Sequence, residues 1–159
     1  MTWTDDNDID QIATMDPIDN IADPAFQRIL AHFKDGAFNS KGSQYAPNTV
    51  ASTRLMHLIV AEDALAKGDM AGFTTHINHV RAMDGLTDYS GQMDAMQLLQ
   101  YERRINTFAM GLRMSDMYRF GVTDPKWQGV SDAIKAPGTL LPITLVEVRA
   151  NCYLNGLGC

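Results

Sequence analysis

The chain has 159 residues, with 45% hydrophobic and 20% charged side chains. That is the balance of an ordinary globular protein long enough to close a core. Its net charge of -6 is gathered at the start. Asp5, Asp6, Asp8, Asp10, Asp16, Asp19 and Asp23 come before any lysine or arginine, and the rest of the chain sets 13 basic against 12 acidic residues. This pattern excludes a basic nucleic-acid footprint, and no apolar run is long enough to span a bilayer.

Residues 1–22 predict a flexible acidic arm. Its opening, Met1-Thr2-Trp3-Thr4-Asp5-Asp6, has neither the positive nor the apolar segment of a secretory signal. Asp6, Asp8 and Asp10 begin like a calcium loop. The glycine and glutamate that such a loop needs fall on Gln11 and Pro17, so the motif fails. Residues 23–159 predict a helical domain. Asp23-Pro24 is a helix start, and Phe26, Ile29, Leu30 and Phe33 give a helix over 24–34, with a loop over 36–48.

The strongest helix is predicted over 49–67. Leu55, Leu58, Ile59, Glu62 and Leu65 share its face, and Ala61 and Ala64 permit close approach. Lys67-Gly68-Asp69 is a short turn, and Asp69 can cap a following helix that buries Phe73, Ile77 and Val80. Two helices joined by so short a turn form an antiparallel hairpin of the tetratricopeptide kind. A third helix is predicted over 90–110, with Met93, Met96, Leu99 and Phe108 among its apolar positions. Gly111 breaks it, a short helix occupies 112–120, and 121–139 is a loop rich in Gly and Pro. Thr144-Leu145-Val146-Glu147 is a capping box for a last short helix. No segment alternates as a strand does. The fold class is therefore all-α, an irregular helical repeat with long loops.

Arg113, Asp116 and Arg119 stand three apart on one helical face, the carboxylate between two guanidiniums. With Glu102, Arg103 and Arg104 they read as a structural clamp across the break at Gly111. His76 and His79, with His57 on the partner helix, are candidate metal ligands, as in a small metal-dependent hydrolase. A zinc site needs further ligands, and neither a nearby Cys nor a His-Glu-x-x-His pattern is present. The expectation is polar-face histidines and no metal. Cys152 and Cys159 make no metal pattern, and two free thiols are expected. No catalytic motif occurs, so neither enzyme activity nor a cofactor is expected.

The stretch Tyr101-Glu102-Arg103-Arg104-Ile105, followed by Gly111-Leu112-Arg113-Met114-Ser115-Asp116-Met117-Tyr118-Arg119-Phe120-Gly121, resembles the C-terminal signature of SusD/RagB-type nutrient-binding proteins. Arg54 to Asp69 is similar to the family's arginine-led helix with its Gly-Asp turn. Ile77 to Leu86 closes the next helix in the family's style, and Leu141-Pro142-Ile143 with Glu147-Val148 is similar to its terminal motif. The likeness covers roughly residues 45–155, in order. It implies a non-catalytic, surface-exposed component of the outer membrane. Such a component binds oligosaccharide or peptide and sits as a lid over a SusC-like TonB-dependent transporter. Members carry a signal and a lipid-bearing cysteine near their start and are far longer, so this chain is expected to be the C-terminal part of such a protein. A sugar site would need exposed aromatic rings. The candidates are Trp127, in a loop beside Asp124, Lys126 and Gln128, then Tyr89, Tyr45 and Trp3. A helical-hairpin protein-interaction module is the alternative.

Overall fold

The structure is a computed structural model and describes residues 15–32, 49–108, 110–122 and 149–150. Among the described residues the elements in chain order are α1 (Pro24–His32), α2 (Thr53–Ala66), α3 (Met70–Ala82), α4 (Ala95–Asn106) and α5 (Arg113–Phe120). The described residues form no strand beyond an isolated antiparallel bridge between Met15 and Ala22. The all-α expectation is met. The chain divides into two compact units, residues 1–110 and 111–159, where the sequence predicted one helical domain from residue 23 onward.

In the first unit α2 packs on α3 and α4, and α1 packs on α4. Short-range signals set the hairpin. Ser52 caps α2 by accepting from the Leu55 N–H at 3.1 Å, so the helix starts four residues later than hydropathy alone suggests. Gly68 stands at φ +74° in the connecting turn, a conformation that costs glycine little. Asp69 then caps α3 by accepting from the Gly72 N–H at 2.9 Å. One such hairpin is present among the described residues, with no second copy beside it.

The buried face of α2 is Leu55, Leu58, Ala61 and Ala64. Ile59, expected on that face, is 48% exposed together with its neighbours Met56 and Val60. Leu58, Ala61 and Ala64 lie three residues apart, and the two alanines keep the face thin. α3 buries Phe73, Ile77 and Val80 as expected, and also Arg81. α4 is shorter than predicted. It begins after Asp94, whose carboxylate accepts from the Gln97 N–H at 2.9 Å. It ends at Asn106, and the Thr107 hydroxyl turns back to the Arg103 carbonyl at 2.7 Å. The helix thus stops before Gly111, which stands at φ +75°. α1 seats Ala25 and Phe26 against Ile105, and the Phe26 ring meets Phe108 edge-on at 5.5 Å.

Residues 15–22 correct the expectation of a flexible acidic arm. Asp16 accepts from the N–H groups of Ile18 at 3.0 Å and Asp19 at 2.7 Å, closing a tight turn. Its side chain is fully buried against α3. Asp23 caps α1, accepting from Ala25 at 2.8 Å and Phe26 at 3.1 Å, and also accepts from the Tyr101 hydroxyl at 2.8 Å. Carboxylates that look like a solvated run in the sequence are tied to named donors.

In the second unit α5 spans eight residues. It ends at Gly121 in the left-handed conformation, with the Val122 N–H reaching back to the Met117 carbonyl at 2.8 Å. This is a Schellman-type stop. The predicted capping box at Thr144–Glu147, and Cys152 and Cys159, lie outside the described residues.

Candidate functional site

Two constellations in the first unit gather chemistry-bearing side chains. The first is a buried charge cluster around Arg81, which is 0% exposed at the end of α3. Its guanidinium donates to both oxygens of Asp16, at 2.8 and 3.0 Å, in a two-pronged pair. It also donates to Glu102 Oε1 on α4 at 2.8 Å and, through Nε, to the Thr87 carbonyl at 2.6 Å. Asp19 stands 3.7 Å from the same guanidinium. The other oxygen of Glu102 accepts from the Asn106 amide at 3.0 Å.

One guanidinium shared by two buried carboxylates leaves an excess of negative charge. Burial pushes the Glu102 carboxyl up to about 7; Arg81 opposes this, and the charges of Asp23 and Asp16 add to it. Asp16 goes the other way. Burial would raise it, but the hydrogen bonds and charge of Arg81 and the N–H groups of Asp19 and Ile18 together hold it below the usual carboxylate range. The Tyr101 hydroxyl is pushed up by burial, by its bond to Asp23 and by the surrounding negative charge.

The second constellation is three imidazoles on the hairpin. His57 from α2 and His76 from α3 share a hydrogen bond between their Nδ1 atoms at 3.0 Å. His79 lies over His57, with ring centroids 4.9 Å apart and planes 26° from parallel, and stands 6.3 Å from His76. Burial and then the neighbouring imidazoles, His79 before His76, lower the pKa of His57. Among the described residues no group of three or more His, Cys, Asp or Glu side chains has the arrangement to hold a metal ion. A sequence signal for this meeting does exist: His57 and His79 are equally far from Gly68, the middle of the turn.

The residues read from the sequence as one clamp are placed as follows. Glu102 serves the Arg81 cluster. Arg103 stands 3.3 Å from Glu62 on α2, and the Arg104 guanidinium lies 5.6 Å from the centre of the Tyr101 ring. Arg119 donates to Asp116 at 2.8 Å within α5, where the carboxylate side chain is 5% exposed and the arginine 46%. Arg113 starts that helix.

Tyr89 needs a correction. It was a candidate sugar platform, but it is 5% exposed. Its ring stands edge-on to Phe73 at 5.6 Å, its hydroxyl donates to the Met93 carbonyl at 3.0 Å, and Asn78 brackets its backbone at 2.7 and 3.1 Å. A ring held in this way presents no face to a sugar. Trp127, Tyr45 and Trp3 lie outside the described residues. Sequence reasoning missed Asp84, which pairs with both Arg28 and Arg54, Arg54 also donating to Asn106 at 3.2 Å.

No described helix is long and apolar enough to cross a membrane. Comparison with protein-family models, with curated proteins and with solved structures returns no match for the chain.

Proposed function

We propose that this chain is the helical C-terminal portion of a SusD/RagB-like nutrient-binding component, working without chemistry at the cell surface beside a TonB-dependent transporter. The carrying observation is the segment from Gly111 to Gly121. Its sequence has the spacing of the family's signature. It forms a helix over Arg113–Phe120, with Asp116 accepting from Arg119 and a left-handed glycine at its end. Support also comes from the Arg54-led helix and its Gly-Asp turn, which form the α2–α3 hairpin. The ligand class in this reading is an oligosaccharide or a peptide, and Trp127 is the aromatic side chain assigned to it.

Two measurements test the proposal. The protein should be retrieved with an outer-membrane transporter encoded beside it; fractionation apart from any such transporter overturns the assignment. Soluble oligosaccharides should change tryptophan emission with weak affinity, on the order of −4 to −6 kcal/mol, and Trp127→Ala should abolish the change while leaving the fold intact. Unfolding by Trp127→Ala, or tight binding that survives it, removes the sugar-stacking role.

One observation favours the alternative, a helical-hairpin protein-interaction module. Met56, Ile59 and Val60 lie along α2 at i, i+3 and i+4, and all three are exposed. Apolar anchors at that spacing suit a helix partner. If no oligosaccharide changes tryptophan emission and Ile59→Glu abolishes capture of a protein partner, the hairpin reading replaces the glycan reading.

A further inference from the structure

We infer that His57 and His76 form a two-imidazole site for a divalent transition ion of the nickel or copper type. The site bridges α2 and α3. The geometry points to it. Metal–nitrogen bonds are about 2.0–2.1 Å long, so two nitrogens 3.0 Å apart subtend roughly a right angle at a shared ion. A tetrahedral zinc ion would hold the same pair about 3.3–3.4 Å apart. Right-angled nitrogen ligands belong to square-planar and tetragonal coordination, the preference of Cu²⁺ and Ni²⁺.

The two nitrogens come from different helices, and the helices are fixed against each other by the Gly68 turn and the Asp69 cap. The spacing belongs to the hairpin, and binding exchanges the proton shared between the two nitrogens for the ion. His79 stacks on His57 and supports the ring. Two imidazoles fill two coordination positions, and water is assigned the others. This makes the site an exchangeable one.

The test uses the full-length protein without a polyhistidine tag, with Cys152→Ser and Cys159→Ser so that thiols do not compete. Ni²⁺ and, separately, Zn²⁺ are titrated by calorimetry and by thermal unfolding. Ni²⁺ should bind at one site and raise Tm, and Zn²⁺ should bind more weakly. His57→Ala and His76→Ala should each weaken Ni²⁺ binding by about tenfold or more. His32→Ala should retain it. Far-UV circular dichroism and the metal-free Tm establish that each variant folds; if either alanine variant unfolds, His57→Gln or His76→Gln takes its place with the same expected loss. Cu²⁺ bound to the parent should give an electron paramagnetic resonance spectrum with two-nitrogen hyperfine structure. Equal Ni²⁺ affinity in the parent and in folded His57 and His76 variants overturns the site. Zn²⁺ binding as tight as Ni²⁺ overturns the right-angle argument.

Discussion

At the scale of single residues, Arg81 carries the most consequence, because among the described residues it is the one cation shared by Asp16 and Glu102 in the interior. Arg81→Met would leave both carboxylates buried without it. The expected loss is about 3–5 kcal/mol, the usual cost of breaking a buried charge pair from one side. Urea unfolding measures it, and the loss should be smaller in mild acid, where Glu102 can take up a proton. Glu102 itself sets a pH dependence. Its folded-state pKa is raised from 4.5 to about 7. Between those values the unfolded chain has lost a proton that the folded chain keeps. Stability therefore falls as pH rises through that window and levels off above it. Asp16 has the opposite sign, since its pKa is lowered, and its contribution is lost only as pH falls below the ordinary 3.8. Glu102→Gln should remove the decline, as urea midpoints at the two ends of the window would record.

At the scale of elements, α5 is a short helix closed at its C-terminal end by Gly121 and braced by the Asp116–Arg119 pair. Asp116→Ala removes a buried acceptor from a half-exposed guanidinium, so the expected loss is about 1–3 kcal/mol rather than the full cost of a buried pair. An unchanged urea midpoint would show that the pair is incidental. The helices themselves were largely legible. Gly68 and Asp69 announce the hairpin because turns and caps are local chemistry, and Ser52 refines a start that hydropathy placed too early. What escaped was set by residues far apart in sequence. Residues 90–94 look helical by pattern but are spent on the passage from Tyr89 to the cap at Asp94, and Tyr89 is held by Asn78 across the connection. Ile59 was assigned to the core because it is apolar, yet the packed stripe runs through smaller alanines. Glu102 was grouped with its sequence neighbours, while its partner sits on another helix. The histidine meeting was legible in principle, from two positions equally spaced about Gly68.

At the scale of the molecule, local and distant contacts divide cleanly in the first unit. The α2–α3 hairpin closes through a turn of three residues, Lys67 to Asp69. The Asp16–Arg81 pair closes over 65 residues. Loop closure makes the distant pair slow to form and the hairpin quick. During synthesis Asp16 leaves the ribosome long before Arg81, and Glu102 later still. Asp16 has no partner to dock on until the hairpin and α4 have been made. The expectation is a latch that closes after the transition state. Asp16→Asn should leave the refolding rate almost unchanged and raise the unfolding rate, which the two arms of a chevron would separate. A slowed refolding arm would instead put Asp16 inside the nucleus. If the latch does close last, the lifetime of the folded state is governed by a segment that precedes both of its partners in the chain and docks after them.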